Sequence, residues 1–326
     1  MEKTSEKSID FKSFFKKLSS VRELSVLLFL LVVGTIITLN APQFLTKSNL
    51  MSMIRSLSST AIMAIGMTMV IITSGIDLSV GTVLGLAPLT MAILVDKGVN
   101  PVMALAAGLA IGPVFGLFNG VLISKMKLPP FIATLSSMSI GRGVMYILTR
   151  GRPLTPKLPA WFKFLGQGYV GVVPVPVVTM IVLTVIFAVI MKCTCFGRHI
   201  YAVGGNEHAA RLSGVKADRV IIGTYVCSAV LCAIAGMLMY ARITSAEANT
   251  GTGYEMDAIA ATVIGGASMS GGAGSVIGAI LGAVLIGTIS NGIVLMGINT
   301  YAQQMVTGLV ILFAVGFDMI YGKNRK

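Results

Sequence analysis

The residue types that usually carry enzyme chemistry are sparse in this sequence. Its two histidines, His199 and His208, belong to no recognisable nucleophile–base pair and to no H-E-x-x-H metal motif. No G-x-x-x-x-G-K-[ST] sequence is present, so there is no P-loop for binding ATP. We therefore expect no catalytic residue, no metal site and no cofactor bound directly by this chain.

Ionisable residues inside apolar stretches are the next candidates, because a charge in a membrane interior usually marks a substrate or ion path. Asp77 lies between two apolar runs, and Arg142 lies well inside another. Arg142 could form an ion pair with Glu255 or Asp257, which should lie on the same side of the membrane. These charges are too few for a proton relay, so we expect the energy for transport to come from elsewhere.

A polar stretch late in the chain predicts a short helix. Asn206 is a favourable N-cap, Glu207 suits the positive start of a helix, and Gly214 can end it in the left-handed conformation. The helix would have about eight residues and a length of roughly 12 Å. It is either a surface connector or an element to which a partner protein docks.

The composition indicates that a polytopic membrane protein positions these residues. Of the 326 residues, 55% are apolar and 11% are charged, against about 25% charged in a soluble domain. Apolar runs of membrane-spanning length predict an all-α fold with about ten transmembrane helices and disfavour a nucleic-acid-binding protein. The predicted spans are 24–40, 57–74, 78–95, 101–123, 129–148, 175–192, 220–240, 257–270, 275–294 and 303–321.

Lysine and arginine predict the direction of the spans, because cytoplasmic loops are enriched in them. Both terminal segments, 1–23 and 322–326, are basic and are placed in the cytoplasm, which agrees with an even number of spans. The transmembrane domain would cover 24–321 and include a basic cytoplasmic loop at 193–219. The outer loop 149–173 departs from this rule. Its basic residues are Arg150, Arg152, Lys157 and Lys163.

Two segments of similar sequence predict a parallel internal repeat of the kind that transporters often carry. They are VIITSGIDLSVGTVLG at 70–85 and VIGGASMSGGAGSVIG at 263–278. Each is expected to form a helical hairpin with a tight polar turn. Their glycines either permit close helix packing or line a pathway. These glycines are Gly81, Gly85, Gly274 and Gly278, and a further ladder runs through Gly112, Gly116 and Gly120.

Four motifs resemble the permease subunits of bacterial ABC sugar importers, and most closely the ribose permeases among them. The motifs span most of the chain and occur in the family's order. They are IMAIGMTMVIITSGIDLSVG at 62–81, PFIATLSSMSIGRG at 130–143, GRHIYAVGGNEHAARLSGV at 197–215 and TGYEMDAIAATVIGGASMSGGAGSVIGA at 252–279.

The resemblance implies a type II ABC-importer-like permease, without catalytic activity of its own, in the bacterial cytoplasmic (inner) membrane. Its partners would be membrane lipid, a second copy of itself, an ATPase subunit that binds ATP, and a periplasmic or lipid-anchored sugar-binding protein. The outer loops 149–173 and 242–256 would be docking surfaces for the binding protein.

The resemblance also implies roles for individual residues. The predicted short helix would be the coupling helix that enters a groove of the ATPase. Its residues are Asn206, Glu207, Ala209, Ala210, Arg211, Leu212 and Gly214. The candidates for a transport pathway are Asp77, Arg142 and Tyr254.

Alternative functions remain open from the sequence. A secondary sugar transporter or facilitator would share the apolar spans but would have no ATPase partner. An ABC permease could carry galactose, another pentose or a furanose-like signal molecule instead of ribose. A membrane-bound enzyme lacks any suitable constellation of side chains.

Overall fold

The structure is a computed structural model, and it describes residues 22–299, 302, 305–309 and 312. Within these residues the chain forms a helical bundle with a two-stranded hairpin, β1 (Tyr169–Val170) and β2 (Val173–Pro174). The helices are α1 (Arg22–Asn40), α2 (Lys47–Ile72), α3 (Val80–Asp96), α4 (Pro101–Ser124), α5 (Pro130–Thr149), α6 (Ala160–Gln167), α7 (Val175–Cys193), α8 (Cys195–Gly205), α9 (Glu207–Leu212), α10 (Ala217–Ile243), α11 (Tyr254–Ile264) and α12 (Val276–Leu295).

The long apolar runs form helices, as the sequence predicts. Among the described residues, six helices are long and apolar enough to cross a membrane, namely α2, α4, α5, α7, α10 and α12. The predicted span 257–270 is wrong in its extent, because α11 ends at Ile264 and a glycine pair follows. Within the predicted span 303–321, the structure describes only residues 305–309 and 312.

Helix α10 lies at the centre of the bundle and packs against α2, α3 and α4. Gly112, Gly116 and Gly120 of α4 face the α10 main chain, where an added Cβ atom would come closer than 3.0 Å to backbone atoms. Small residues allow two helix backbones to approach in this way. The predicted packing role of this glycine ladder is confirmed.

The helix ends define two opposite faces of the bundle. At one face the end of α4 meets the start of α10, where Lys125 Nζ lies 3.3 Å from Asp218 Oδ2. Helix α9 belongs to this face, which we call the α9 end. At the far end the start of α2 meets the end of α12, and the side chains of Asn49 and Asn291 exchange hydrogen bonds of 2.9 and 3.0 Å.

Two interruptions of the helices meet near the α9 end. Break 1 (residues 73–79) separates α2 from α3, and break 2 (residues 265–275) separates α11 from α12. Gly272 N donates a hydrogen bond to Ile72 O at 2.9 Å, and Ser74 Oγ donates to Ser270 O at 3.2 Å. The two breaks are therefore joined through the Ser74 side chain, and break 2 also bonds to the last residue of α2.

The prediction of two hairpins holds for only one of them. Helices α11 and α12 pack against each other on either side of break 2. Helices α2 and α3 do not pack along each other, because α10 and α11 lie between them. Break 1 is anchored by side chains of α4, α5 and α10, and these contacts direct α3 away from α2.

Segment 244–253, which connects α10 to α11, runs into the bundle from the far end. Ala248 and Gly251 are buried, although no helix contains them. The main chain at Gly251 lies directly against that of Gly81 at the start of α3. The segment therefore packs directly against the start of α3.

Candidate coupling surface and transport pathway

Helix α9 has the start and the end that the sequence predicts. Asn206 Oδ1 accepts a hydrogen bond of 2.9 Å from Ala209 N, which is the usual bond of an N-cap. Gly214 adopts φ +85°, and Val215 N donates to Ala210 O at 3.0 Å. The helix has six residues, fewer than predicted, because the closing turn begins directly after Leu212.

The residues of α9 divide between a buried and an exposed side. Ala210 is buried against the protein and anchors the helix. Glu207, His208 and Ala209 are exposed, and Leu212 is 79% exposed although it is a large apolar residue. The exposed side of α9 therefore carries one large apolar side chain, Leu212, within an otherwise polar loop.

Charged side chains hold α9 against two neighbouring elements. Arg211 Nη2 donates to Glu207 Oε1 at 2.7 Å and also to Asp218 Oδ1, in the first turn of α10. Lys127, in the α4–α5 connection, lies 3.6 Å from Asp218 Oδ1 and 3.7 Å from Glu207 Oε1. The hydrogen bonds to Asp218 and Glu207 raise the pKa of Arg211, so its guanidinium remains charged. The network fixes the orientation of α9 more than it adds stability, because exposed ion pairs contribute little.

Helix α8 links α9 to break 2 and to the end of α2, directly before break 1. Its C-terminal end contacts α2, since Gly204 lies directly against the carbonyl of Ile72. Tyr201 Oη donates a hydrogen bond of 2.9 Å to Gly274 O in break 2. Burial raises the pKa of the Tyr201 hydroxyl, which therefore stays protonated as a donor. Because Asn206 follows α8 directly, a displacement of α9 would move groups that touch break 2 and the end of α2.

Asp77 lies in break 1 and is fully buried. Its Oδ1 accepts hydrogen bonds from Ser79 N at 2.9 Å and from Ser79 Oγ at 2.6 Å. Asn119 Nδ2 donates to Ser79 Oγ at 2.8 Å. In this conformation Asp77 organises the start of α3, and its role in a transport pathway stays a prediction.

Arg142 lies on α5 and contacts backbone rather than a carboxylate. Its Nη1 donates to Thr250 O at 2.6 Å and to Ala248 O at 3.2 Å. Within the described part of the chain, neither Glu255 nor Asp257 lies within ion-pair distance of it, so the predicted ion pair is wrong. The guanidinium instead donates hydrogen bonds to carbonyls of segment 244–253, because this segment is not helical and does not pair them itself.

The predicted glycines in the two interrupted segments occupy crowded positions. At Gly81 an added Cβ would overlap the carbonyl of Gly251, and at Gly85 it would overlap that of Thr250. At Gly278 it would overlap the carbonyl of Gly265. Gly274 differs, because its neighbour is the side chain of Ile72. The first three therefore permit contact between main chains, whereas Gly274 faces a side chain that can adjust.

The outer loops differ in how much surface they offer. In loop 149–173, Arg150, Arg152 and Lys157 are exposed, and Phe162 of α6 is buried. In loop 242–256, Glu247 and Asn249 are exposed, but Ala248 and Gly251 are buried. Loop 149–173 is the more accessible of the two predicted docking surfaces.

Tyr254, the third pathway candidate, lines a cavity at the far end. This far-end cavity has a volume of about 470 Å³ and lies between α2, α11 and α12 and the end of α10. A second cavity of about 260 Å³ borders segment 244–253 and shares Tyr254. The far-end cavity is lined by Ser52, Met53, Ser56, Leu57, Thr60, Arg242, Tyr254, Asp257, Ile286, Gly287, Ser290, Asn291 and Val294.

Most of this lining is absent from the residues predicted from the sequence. The spacing of Ser52, Ser56 and Thr60 places three hydroxyl groups on one side of α2, and this signal was available. Nothing in the sequence places them beside Arg242 or Asn291, since these residues lie far along the chain.

The chain is similar to known permeases over nearly its full length. It is 42% identical over 316 residues to the ribose import permease protein RbsC of Bacillus subtilis, covering 97% of this chain and 96% of that protein. It is 40% identical over 317 residues to RbsC of Escherichia coli K12, covering 95% of this chain and 98% of that protein. It is 36% identical to the galactose/methyl galactoside import permease protein MglC of the same strain, over 98% of this chain and 99% of that protein.

A search of solved structures finds no match. The family described as "Branched-chain amino acid transport system / permease component" matches residues 49–315. That range contains both breaks, α8, α9 and the whole lining of the far-end cavity. The chain is therefore a multi-pass membrane protein that belongs to this family of transport-system permease components.

Proposed function

We propose that this chain is the membrane permease subunit of an ATP-driven importer that carries ribose into the cytoplasm. The identity of 40–42% to two ribose import permeases over almost the whole chain carries this proposal. A separate ATPase subunit hydrolyses the ATP, and a sugar-binding protein delivers the ribose. Galactose is the second candidate substrate, because a galactose/methyl galactoside permease is 36% identical to this chain.

Helix α9 is the element through which the ATPase acts. It is exposed, capped at both ends and held in a fixed orientation by ion pairs. When the ATPase subunits close, α9 moves with them, and α8 carries the motion to breaks 1 and 2. A small displacement can switch a bundle between two packed arrangements, because packed helices slide in discrete steps. Access to the pathway then alternates between the far end and the α9 end.

The basic loops support a cytoplasmic α9 end. Lys125, Lys127, Arg198, Arg211 and Lys216 all lie at this end, as expected for loops that stay inside. Both chain termini are then cytoplasmic and the chain has about ten transmembrane helices, as in a type II importer. The far end faces the binding protein and loop 149–173 receives it.

The paired breaks support a parallel internal repeat. In each copy a helix is interrupted and a second helix starts with glycines four residues apart. Gly81 and Gly85 of α3 correspond to Gly278 and Gly282 of α12, and each of the four lies against a backbone carbonyl. Aligning segments 70–85 and 263–278 without gaps instead pairs Gly81 with Gly274 and Gly85 with Gly278. The two correspondences differ because break 2 is longer than break 1.

A second copy of the chain completes the transport pathway. Helices α4, α5 and α7 expose large apolar side chains, which membrane lipid and a second copy would cover. The pathway would follow the axis of this homodimer in the bacterial cytoplasmic membrane.

Reconstitution of the complete importer tests the proposed function. The chain, its ATPase and a ribose-binding protein are placed in proteoliposomes, and ATP hydrolysis is measured with the binding protein empty, loaded with ribose or replaced by a galactose-loaded one. We expect the ribose-loaded protein to give the largest stimulation. A larger stimulation by the galactose-loaded protein would change the assigned substrate, and no association with an ATPase would contradict an ATP-driven role.

A further inference from the structure

The far-end cavity has the size and the place of a substrate site. Its volume of about 470 Å³ falls in the range of roughly 300–1,000 Å³ that is typical of ligand pockets. It lies at the end opposite α9, where a delivered sugar would arrive. Four elements build it, since α2 and α11 start here and α10 and α12 end here.

The polar groups around the cavity have unused hydrogen-bonding capacity. Within the described part of the chain, the side chains of Arg242, Tyr254, Ser52, Ser56 and Ser290 make no hydrogen bond to protein. The polar atoms of these groups are also accessible. They have no protein partner, and none of them is among the fully buried unpaired atoms of the described residues. Polar side chains inside a membrane protein are costly unless they meet a partner or a water-filled path. Their convergence on one cavity indicates a polar occupant.

The remaining polar groups of the lining are already oriented by protein contacts. Asp257 Oδ1 lies 3.5 Å from Thr307 Oγ1, so its second oxygen is left to accept from an occupant. Asn291 is held by its paired hydrogen bonds to Asn49. These contacts fix the carboxylate and the amide at the cavity wall without using all of their capacity.

The charges of the lining favour a neutral occupant. Arg242 and Asp257 supply one positive and one negative charge, so neither a cation nor an anion would be favoured overall. The other polar groups are hydroxyls and an amide, which both donate and accept hydrogen bonds. A molecule with several hydroxyl groups on a small ring matches this set, because each hydroxyl also donates and accepts.

We propose that the far-end cavity is a monosaccharide-binding site of the permease itself. The sugar leaves its binding protein, is held by Arg242, Tyr254 and Asp257, and is then released into the pathway along the homodimer axis. This inference rests on the proposed function, because it assumes that a sugar is delivered at the far end. It adds that the permease chain makes its own contacts to the substrate.

Cysteine labelling tests occupancy of the cavity directly. Ser290→Cys is made in a chain whose native cysteines are replaced by serine, and the complete complex is placed in nanodiscs without the binding protein. We expect millimolar ribose to slow maleimide labelling of Ser290→Cys by at least about threefold, because a bound sugar blocks access to the thiol. Thr155→Cys, in the exposed outer loop, is the matched control and should label at the same rate with and without ribose.

The amount of ribose transported per ATP hydrolysed tests the same site independently. Tyr254→Phe and Asp257→Asn each remove one polar group and keep the shape of the side chain. We expect ribose moved per ATP hydrolysed to fall about tenfold, while stimulation of the ATPase by the loaded binding protein stays within about twofold. Tyr146→Phe and Asp96→Asn are matched controls, since both residues are exposed and do not line the cavity.

Several results would overturn the inference. Labelling of Ser290→Cys at equal rates with and without ribose would do so, as would variants that move as much ribose per ATP as their controls. Protection by glycerophosphocholine but not by ribose would assign the cavity to a lipid headgroup instead. Failure of the proposed function is distinguishable, because the unsubstituted complex would then show no ATP-dependent ribose uptake.

Discussion

At the scale of single residues, polar side chains donate hydrogen bonds to backbone carbonyls where the chain is not helical. Thr134 and Tyr225 donate to the carbonyl of Ile76 in break 1, and Arg142 donates to two carbonyls of segment 244–253. Unpaired backbone groups in a membrane interior cost several kcal/mol each. These side chains therefore allow irregular backbone to exist inside the bundle.

Replacing Arg142 tests this role. Arg142→Gln removes the fixed pair of donors and should release segment 244–253 from α5. We expect amide hydrogen exchange across 247–253 to become at least about tenfold faster, as for loss of about 1.4 kcal/mol of local stability. Arg150→Gln, at the exposed end of the same helix, should leave this exchange unchanged. Equal exchange in both variants would show that Arg142 does not hold the segment.

Gly85 offers a second test at this scale. Gly85→Ala places a methyl group against the carbonyl of Thr250 and the side chain of Met145, so overpacking should lower stability by about 1–3 kcal/mol. The control is Gly143→Ala in the interior of α5, where the added methyl meets open space. That change should be neutral or stabilising, because alanine favours helix by up to about 1 kcal/mol. Detergent-solubilised thermal unfolding compares the two, and equal Tm values would contradict the close approach.

At the scale of elements, the short helix α9 and helix α8 form one connection from the surface to the breaks. Only the cap residue Asn206 separates α8 from α9. The exposed apolar residue Leu212 therefore lies on a segment that is continuous with α8. A partner that moves α9 therefore moves Tyr201 and Gly204 as well. Under the proposed function, this connection would carry the motion of an external ATPase to groups inside the bundle.

The N-cap of α9 should be needed for its rigidity. Asn206→Ala removes the acceptor for Ala209 N and should lower the local stability of α9 by about 1 kcal/mol. Hydrogen exchange of residues 208–212 should become about fivefold faster, and stimulation of the ATPase should fall. Asn206→Asp keeps an acceptor and should behave as the unsubstituted chain. Loss of stimulation by both variants would mean that the Asn206 side chain contacts the partner rather than the helix.

Leu212 should be a direct contact with the ATPase. Leu212→Asp places a charge on an exposed apolar position, so it should weaken co-purification of the ATPase by at least about tenfold without affecting folding. Val172→Asp is the matched control, because Val172 is 75% exposed in the far-end hairpin. If both variants retain the ATPase equally, α9 is not the docking element.

Local signals in the sequence predict the helices and the caps of α9 well. Long apolar runs, Asn206 and Gly214 each act within a few residues, so their effect is readable without the fold. The short α11 is different, because residues 265–270, which follow the end of the helix, are still small or apolar. The partners of Arg142 are backbone carbonyls, which have no sequence signature. The far-end cavity joins α2 with residues from 242 onward, and only the tertiary packing brings them together.

At the scale of the whole molecule, the two ends of the bundle have different chemistry. The α9 end carries a basic network and an exposed helix, and the far end carries a hydroxyl-lined cavity beneath accessible loops. Breaks 1 and 2 lie between them and are joined by hydrogen bonds. The proposed function requires this division, because it has energy supplied at one end and substrate at the other.

Ribose uptake into proteoliposomes tests the central claim most directly. The vesicles contain the chain with its ATPase, ATP is enclosed on the side of α9, and ribose-loaded binding protein is added outside. We predict that labelled ribose accumulates only when hydrolysable ATP is enclosed, and that Leu212→Asp abolishes this accumulation. Accumulation without ATP, driven by an imposed proton or sodium gradient, would contradict the account and identify a secondary transporter.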